Sequence, residues 1–172
     1  MAEMGFTGAP AITVEGEDVQ GFWADLAQVW QTDVQYIKPY PICRWAHAPI
    51  DGARQIGLEH DITHDQVARV DICSFGNAIA LFGGMPDSTS QAQYSLAFSV
   101  ATMIRHGTIG LEHISGDGLK DADVAALVEK TQLTVEPRHE ARFPEGRWAD
   151  VSITLADGRV LHSGDLNARG GP

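Results

Sequence analysis

Val151-Ser-Ile-Thr-Leu-Ala-Asp-Gly-Arg-Val160 decides how the rest of the chain is read. Val151, Ile153 and Leu155 alternate with Ser152 and Thr154, the period of a strand with one buried face. Asp157-Gly158 follows, and then Arg159 and Val160. An Asp-Gly pair after an alternating run marks a hairpin, because both turn positions favour positive φ. A strand that folds back on its neighbour builds an antiparallel sheet, and the apolar face of that sheet needs a cover.

Upstream segments supply the cover. Gln91 to Arg105 reads as a helix, with Ala92, Leu96, Val100 and Ile104 spaced by four. Asp121 to Lys130 reads as another, with Asp121 as its cap and Val124, Leu127 and Val128 turned inward. A helix also opens near Ala48 or Pro49, where proline is tolerated in the first turn. It would bury Ile50, Ala53, Ile56 and Gly57. Val67 to Phe75 is a half-buried strand, with Ala68, Val70 and Ile72 set against Arg69, Asp71 and Cys73. Shorter extended pieces are expected at Val34–Lys38, Ile79–Phe82 and Leu133–Glu136, and Gly83–Ser90 reads as a loop. Val19, Phe22, Trp23, Leu26, Val29 and Trp30 line one face of a helix capped by Asp18, a candidate face for a partner or for the core. The fold class is α+β, a two-layer sandwich of helices on a mostly antiparallel sheet. Residues 1–17 read as an irregular lead-in, 18–166 as one domain and 167–172 as a frayed tail.

Composition narrows the function. The chain has 172 residues, 44% hydrophobic and 20% charged, with a net charge of −11. That is globular, and too acidic for a generic nucleic-acid binder. No run of about 18 apolar residues could span a membrane. Two cysteines, Cys43 and Cys73, make no disulfide framework, and the N-terminus shows no signal-peptide pattern. Together these point to a reducing cytoplasm. Neither a phosphate-binding glycine motif nor a G-x-S-x-G elbow occurs.

The densest chemistry lies between Lys38 and His47. Lys38 and Arg44 offer positive charge to a carboxylate, the arginine as a fork and the lysine as a point charge. His47 could carry protons near neutral pH. Pro39 and Pro41 would hold these donors rigidly. The bland alternative is a tight connection whose charges face solvent. Cys43 stands four residues before His47, one face of a helix, yet a lone Cys is more often a small buried hydrophobe than a nucleophile. His60 and His64 are also four apart, but Asp61 and Thr63 read as a turn and no third ligand follows, so no metal site is expected.

The stretch Tyr36-Ile-Lys-Pro-Tyr-Pro-Ile-Cys-Arg-Trp-Ala-His-Ala-Pro-Ile-Asp51 resembles the MmgE/PrpD family of 2-methylcitrate dehydratases, cis-aconitate decarboxylases and iminodisuccinate epimerases. Gly5-Phe-Thr-Gly-Ala-Pro10 with Val14-Glu-Gly16, Val67–Asp71, Pro86-Asp87 through Ala92-Gln-Tyr-Ser-Leu-Ala-Phe98, and the Val151–Arg159 hairpin continue the resemblance in order. It implies the smaller α/β lid domain of a longer enzyme, whose active site lies between that lid and a helical domain. By the same resemblance, Lys38 faces the cleft and could bind a substrate carboxylate. Cys43 sits at a cleft position that is His in some members, and His47 matches a His in many. Phe98 stands where some decarboxylase-like members place a catalytic-site Tyr, so a decarboxylase role lacks its hydroxyl. No metal or organic cofactor is implied.

Two functions compete on these grounds. One is the lid part of a lyase or isomerase acting on a small di- or tricarboxylic acid, inactive without a helical partner domain. Lys38 and His47 would then serve catalysis, and Lys38, Cys43, Arg44 and Phe98 would bind substrate. The other is a non-catalytic module that binds a small carboxylate or self-associates as a homo-oligomer through its former interface.

Overall fold

A computed structural model describes residues 27, 28 and 30–171. The chain divides into two units, and the one that carries the fold runs from Tyr36 to Gly171. In the other, the described part contains a 3-10 turn, Gln31–Val34. The lead-in over 1–17 and nearly all of the helix expected over 18–30 lie outside the described residues.

The folded unit opens with α1 (His47–His60), entered through a 3-10 turn at Arg44–Ala46. Then come β1 (Val67–Ser74), α2 (Gly76–Ile79), α3 (Thr89–Gln93), α4 (Leu96–His106), α5 (Ala122–Glu129) and β2 (Thr131–Val135). The unit closes with α6 (Pro137–Glu140), β3 (Trp148–Leu155), β4 (Val160–His162) and β5 (Leu166–Asn167). The five strands form one sheet in the order β2-β1-β3-β4, with β5 also on β3. Only β1 and β2 run parallel, joined through the α2–α5 crossover. β3 pairs antiparallel with β1, β4 and β5. Helices thus pack on a mostly antiparallel sheet, the α+β sandwich expected. No helix among the described residues is long and apolar enough to cross a membrane.

The alternation along β3 is complete: Ala149, Val151, Ile153 and Leu155 are buried and the residues between them half-buried. Val151, Ile153 and Leu155 meet Ile50, Ala53 and Ile56 of α1, Val100 and Ala101 of α4, and Val124 and Leu127 of α5 in one core, while Ala149 packs with Ala48 and Ala168 in a smaller cluster. α1 lies on β3 and against α4, which lies against α5. The hairpin is present, but its turn differs from the expectation. Leu155 N donates to Arg159 O at 2.8 Å, so the loop is Ala156-Asp157-Gly158, and among these only Gly158 has positive φ, +88°. This is the three-residue connection with glycine in its left-handed position. Asp157 accepts the Arg159 backbone N–H at 3.0 Å.

Several local expectations are corrected. Ala68 is exposed, because the β1–β3 register shifts between Val67 and Arg69 and leaves it as the extra residue of a bulge. Ile79–Phe82 is not a strand: Ile79 ends α2, whose amides bond back to Phe75 and Gly76. Val34–Lys38 is not one either; Val34 closes the 3-10 turn and the next residues join no ladder. The helix over 91–105 is two helices, because Ser95 leaves the helical region and its Oγ caps the Phe98 amide. Leu133–Glu136 is extended as expected, within and just after β2. Residues 167–171 do not fray. Asn167 is in β5, Ala168 is buried and donates to Arg147 O, and Gly170 O accepts from Ile37 N at 2.7 Å.

Candidate functional site

Proline builds the segment ahead of α1. Pro39 and Pro41 keep Lys38 and Tyr40 out of the helical region. Tyr40 and Ile42 are buried and pin the turn to the core. Cys43 N donates to Gln93 O at 2.8 Å, and Gln93 Nε2 donates to Pro41 O at 3.2 Å. The segment is therefore stapled to the end of α3. A small cavity of about 60 Å³ lies at this junction, lined by Lys38, Ile42, Cys43, Gln93 and Tyr94.

Lys38 and Cys43 come together there, as the sequence suggested. Gln93 and Tyr94 were not singled out, although they belong to the Ala92-Gln-Tyr-Ser95 run. Their position beside Lys38 rests on pairing across some fifty residues, which periodicity does not reveal.

His47 is placed differently. It is fully buried at the first residue of α1. Its Nε2 lies 3.2 Å from the Ile42 carbonyl, which only accepts, so Nε2 carries the proton. Nδ1 is then an acceptor, and the Tyr36 hydroxyl donates to it at 2.8 Å. Burial, with Lys38 and Arg44 adding to it, holds the imidazole below its ordinary pKa, while the Ile42 bond and Asp51 work the other way. Both nitrogens are engaged, so neither is left to activate Cys43 or meet a ligand directly.

Arg44 lies with its guanidinium carbon 3.9 Å over the Tyr36 ring. Its Nε is buried without a partner. Beneath it, Tyr40 OH donates to Asp51 at 2.7 Å, and Arg169 grips both Asp51 oxygens at 2.6 and 2.7 Å. Burial first, then the hydrogen bond to Asp51 and the charge of that carboxylate, push the Tyr40 phenol up to about 12. Phe98 is fully buried in the core and offers no surface to a ligand. The register of α4, with Ser95 as cap, turns it inward.

Charge accounting separates two residues of this segment from most of the molecule. Of the twelve Lys and Arg, seven pair with carboxylates. Lys130 and Arg147 donate to backbone carbonyls. Lys38, Arg44 and Arg54 have neither partner among the described residues. In an acidic protein, adjacent unpaired cations on a rigid turn suit an anion.

Another cluster was not legible in the sequence. His139, Asp150 and Asp165 converge, with His139 Nε2 at 2.7 Å from Asp150. Arg138 bonds both carboxylates and Arg142 bonds Asp165 at 3.0 Å, so the acids are already neutralised by cations. This is an ion-pair network fastening α6 to β3. His60 ends α1 and His64 opens the next 3-10 turn, in line with the turn read at Asp61 and Thr63.

The family model for the MmgE/PrpD C-terminal domain matches residues 40–172, well over half of the chain. The chain belongs to the MmgE/PrpD family. Cys43, Arg44, His47, Tyr94 and Phe98 fall within the matched range, and Lys38 stands two residues ahead of it. Among curated proteins, no relative matches. For an MmgE/PrpD C-terminal domain, the unpaired cations and the stapled turn are the features with chemical consequence.

Proposed function

We propose that this chain is the lid-domain part of an MmgE/PrpD lyase or isomerase that acts on a small di- or tricarboxylic acid. A proton would be taken from the carbon next to a carboxylate. The carbanion would then lose water or carbon dioxide, or regain a proton on its other face. Lys38 holds a substrate carboxylate at the cavity mouth, and Arg44 adds positive potential behind it. Cys43, Gln93 and Tyr94 shape the wall. His47 acts as a positioning residue, fixing Tyr36 and the Ile42 carbonyl and so the turn that carries Lys38.

The observation that carries this reading is the cavity itself. It presents an unpaired lysine, yet its lining holds no carboxylate and no imidazole. Such a surface suits an anion and offers no carboxylate or imidazole as a general base. In this reading the carboxylate or imidazole base comes from a second, helical domain, and the chain alone should show no turnover of citrate-like acids.

The test is a titration of the isotope-labelled chain with citrate and cis-aconitate, read by amide shifts. Saturable shifts should centre on Lys38, Cys43, Gln93 and Tyr94 and vanish in Lys38→Met. Shifts elsewhere, or none, would refute the assignment. Turnover by the pure chain would refute the division of labour.

A further inference from the structure

Ten residues past His47, about 15 Å along α1, a groove of about 470 Å³ opens between α1 and α4. Ala53, Gly57, Ile62, Met103 and Ile104 form its apolar floor. It shares no residue with the Lys38 cavity. Its volume falls within the roughly 300–1,000 Å³ of clefts that hold small organic ligands. Leu58, 70% exposed, stands at the rim.

Charge is distributed unevenly around this rim. On one wall Arg105 and His64 converge on Asp123, at 2.9 and 3.4 Å. The lining's own carboxylate, Asp65, is exposed to solvent. On the α1 side, Arg54 has no carboxylate or carbonyl partner among the described residues. It is the only such cation in the groove's lining.

Gly57 makes the space. A Cβ built on it meets nothing within 4 Å. Glycine is a poor residue for a helix interior, and no neighbour in the folded unit crowds this position. A larger side chain at this position would project into open space beside the groove it lines.

We propose that this groove binds a small amphiphilic carboxylate, with its hydrocarbon tail over Gly57 between α1 and α4 and its carboxylate at Arg54. Charge complementarity selects the head, since Arg54 can grip a carboxylate in bidentate fashion. The apolar floor selects the tail. The site is independent of the Lys38 cavity, and a citrate-like acid with charge at every end would desolvate poorly in it.

The full chain is titrated with hexanoate, octanoate, decanoate and octanol, followed by calorimetry and amide shifts. Affinity should rise about four-fold for each added methylene, octanoate should bind more tightly than octanol, and shifts should gather at Gly57, Ile62 and Ile104. Gly57→Phe should fold with an unchanged or raised melting temperature and lose the binding. Arg54→Gln should keep the dependence on tail length and lose the preference for carboxylate over alcohol. No saturable binding to the wild type overturns the proposal, as does full binding by Gly57→Phe. An unchanged carboxylate preference in Arg54→Gln overturns the role of that residue. A wild-type dimer that Gly57→Phe turns into a monomer would show that the groove's occupant is a second copy, and would also overturn it.

Discussion

Replacing His47 with phenylalanine tests whether this residue is structural polar scaffold. The ring volume is nearly kept, so the cost is mainly that of polar partners left behind. Ile42 is 1% exposed, and a buried carbonyl without its donor costs about 1–3 kcal/mol. Tyr36 is half-buried and its hydroxyl can turn to water, so losing that bond adds only about 0.5–1 kcal/mol. His47→Phe should therefore lower stability by about 1.5–4 kcal/mol at pH 8. The pH dependence sharpens the test. The native imidazole titrates below its ordinary value of 6.5, so between 6.5 and the native value the unfolded chain binds more protons. Stability from the neutral buried ring is fully present above 6.5 and is lost as pH falls toward the native pKa. The Phe variant lacks this loss, so the gap between the two proteins should narrow below pH 6.5, by at most about 1.4 kcal/mol per pH unit. Urea unfolding at pH 8, 7, 6 and 5, with equal m-values required, measures it. A gap that stays constant or widens on acidification would refute the neutral-imidazole assignment. An unchanged midpoint at pH 8 would refute the scaffold role altogether.

Two further outcomes follow from the packing. Gly52→Ala should lower stability by about 1–3 kcal/mol, because its Cβ would lie 2.9 Å from Ser163 Oγ and 3.3 Å from Val151 Cγ2; a melting temperature equal to the wild type would show that Ser163 and Val151 yield freely. Asp121→Ala removes the acceptor for the Asp123 and Val124 amides and should cost about 1 kcal/mol in thermal unfolding, and no loss would mean that water replaces the cap.

Elements whose evidence is local were legible. The Asp121 cap, the inward face of α5 and the alternation of β3 are properties of short windows, and each stands as read. Features that depend on distant pairing were not. Ala68 looks inward by alternation and is turned out only because β3 imposes a bulge on β1. Ser95 looks like one more residue of a long helix until its hydroxyl caps the Phe98 amide and ends the periodicity. The end of the chain looked unattached because Arg169 finds Asp51 across 118 residues. The site divides in the same way. Lys38 and Cys43 could be grouped from proximity and proline rigidity, whereas Gln93 and Tyr94 join them only through the staple from α3.

The same division separates what residue type says at His47 from what it says at Lys38. An imidazole can serve as base, acid or buried bridge, and its neighbours decide which. Here a carbonyl that only accepts and a phenol that donates use both nitrogens, and burial removes the charge. A lysine has fewer options. Its ammonium must find a partner or remain in water, and the pairing of most other cations leaves Lys38 and Arg44 without one. The segment from Tyr36 to His47 therefore separates its polar groups by task. Those turned inward hold the turn, and the cations left unpaired are the groups to which the proposed function assigns the substrate carboxylate. Under that proposal, a helical domain closing on this face would meet positive potential on a rigid support and would bring the groups that move the proton.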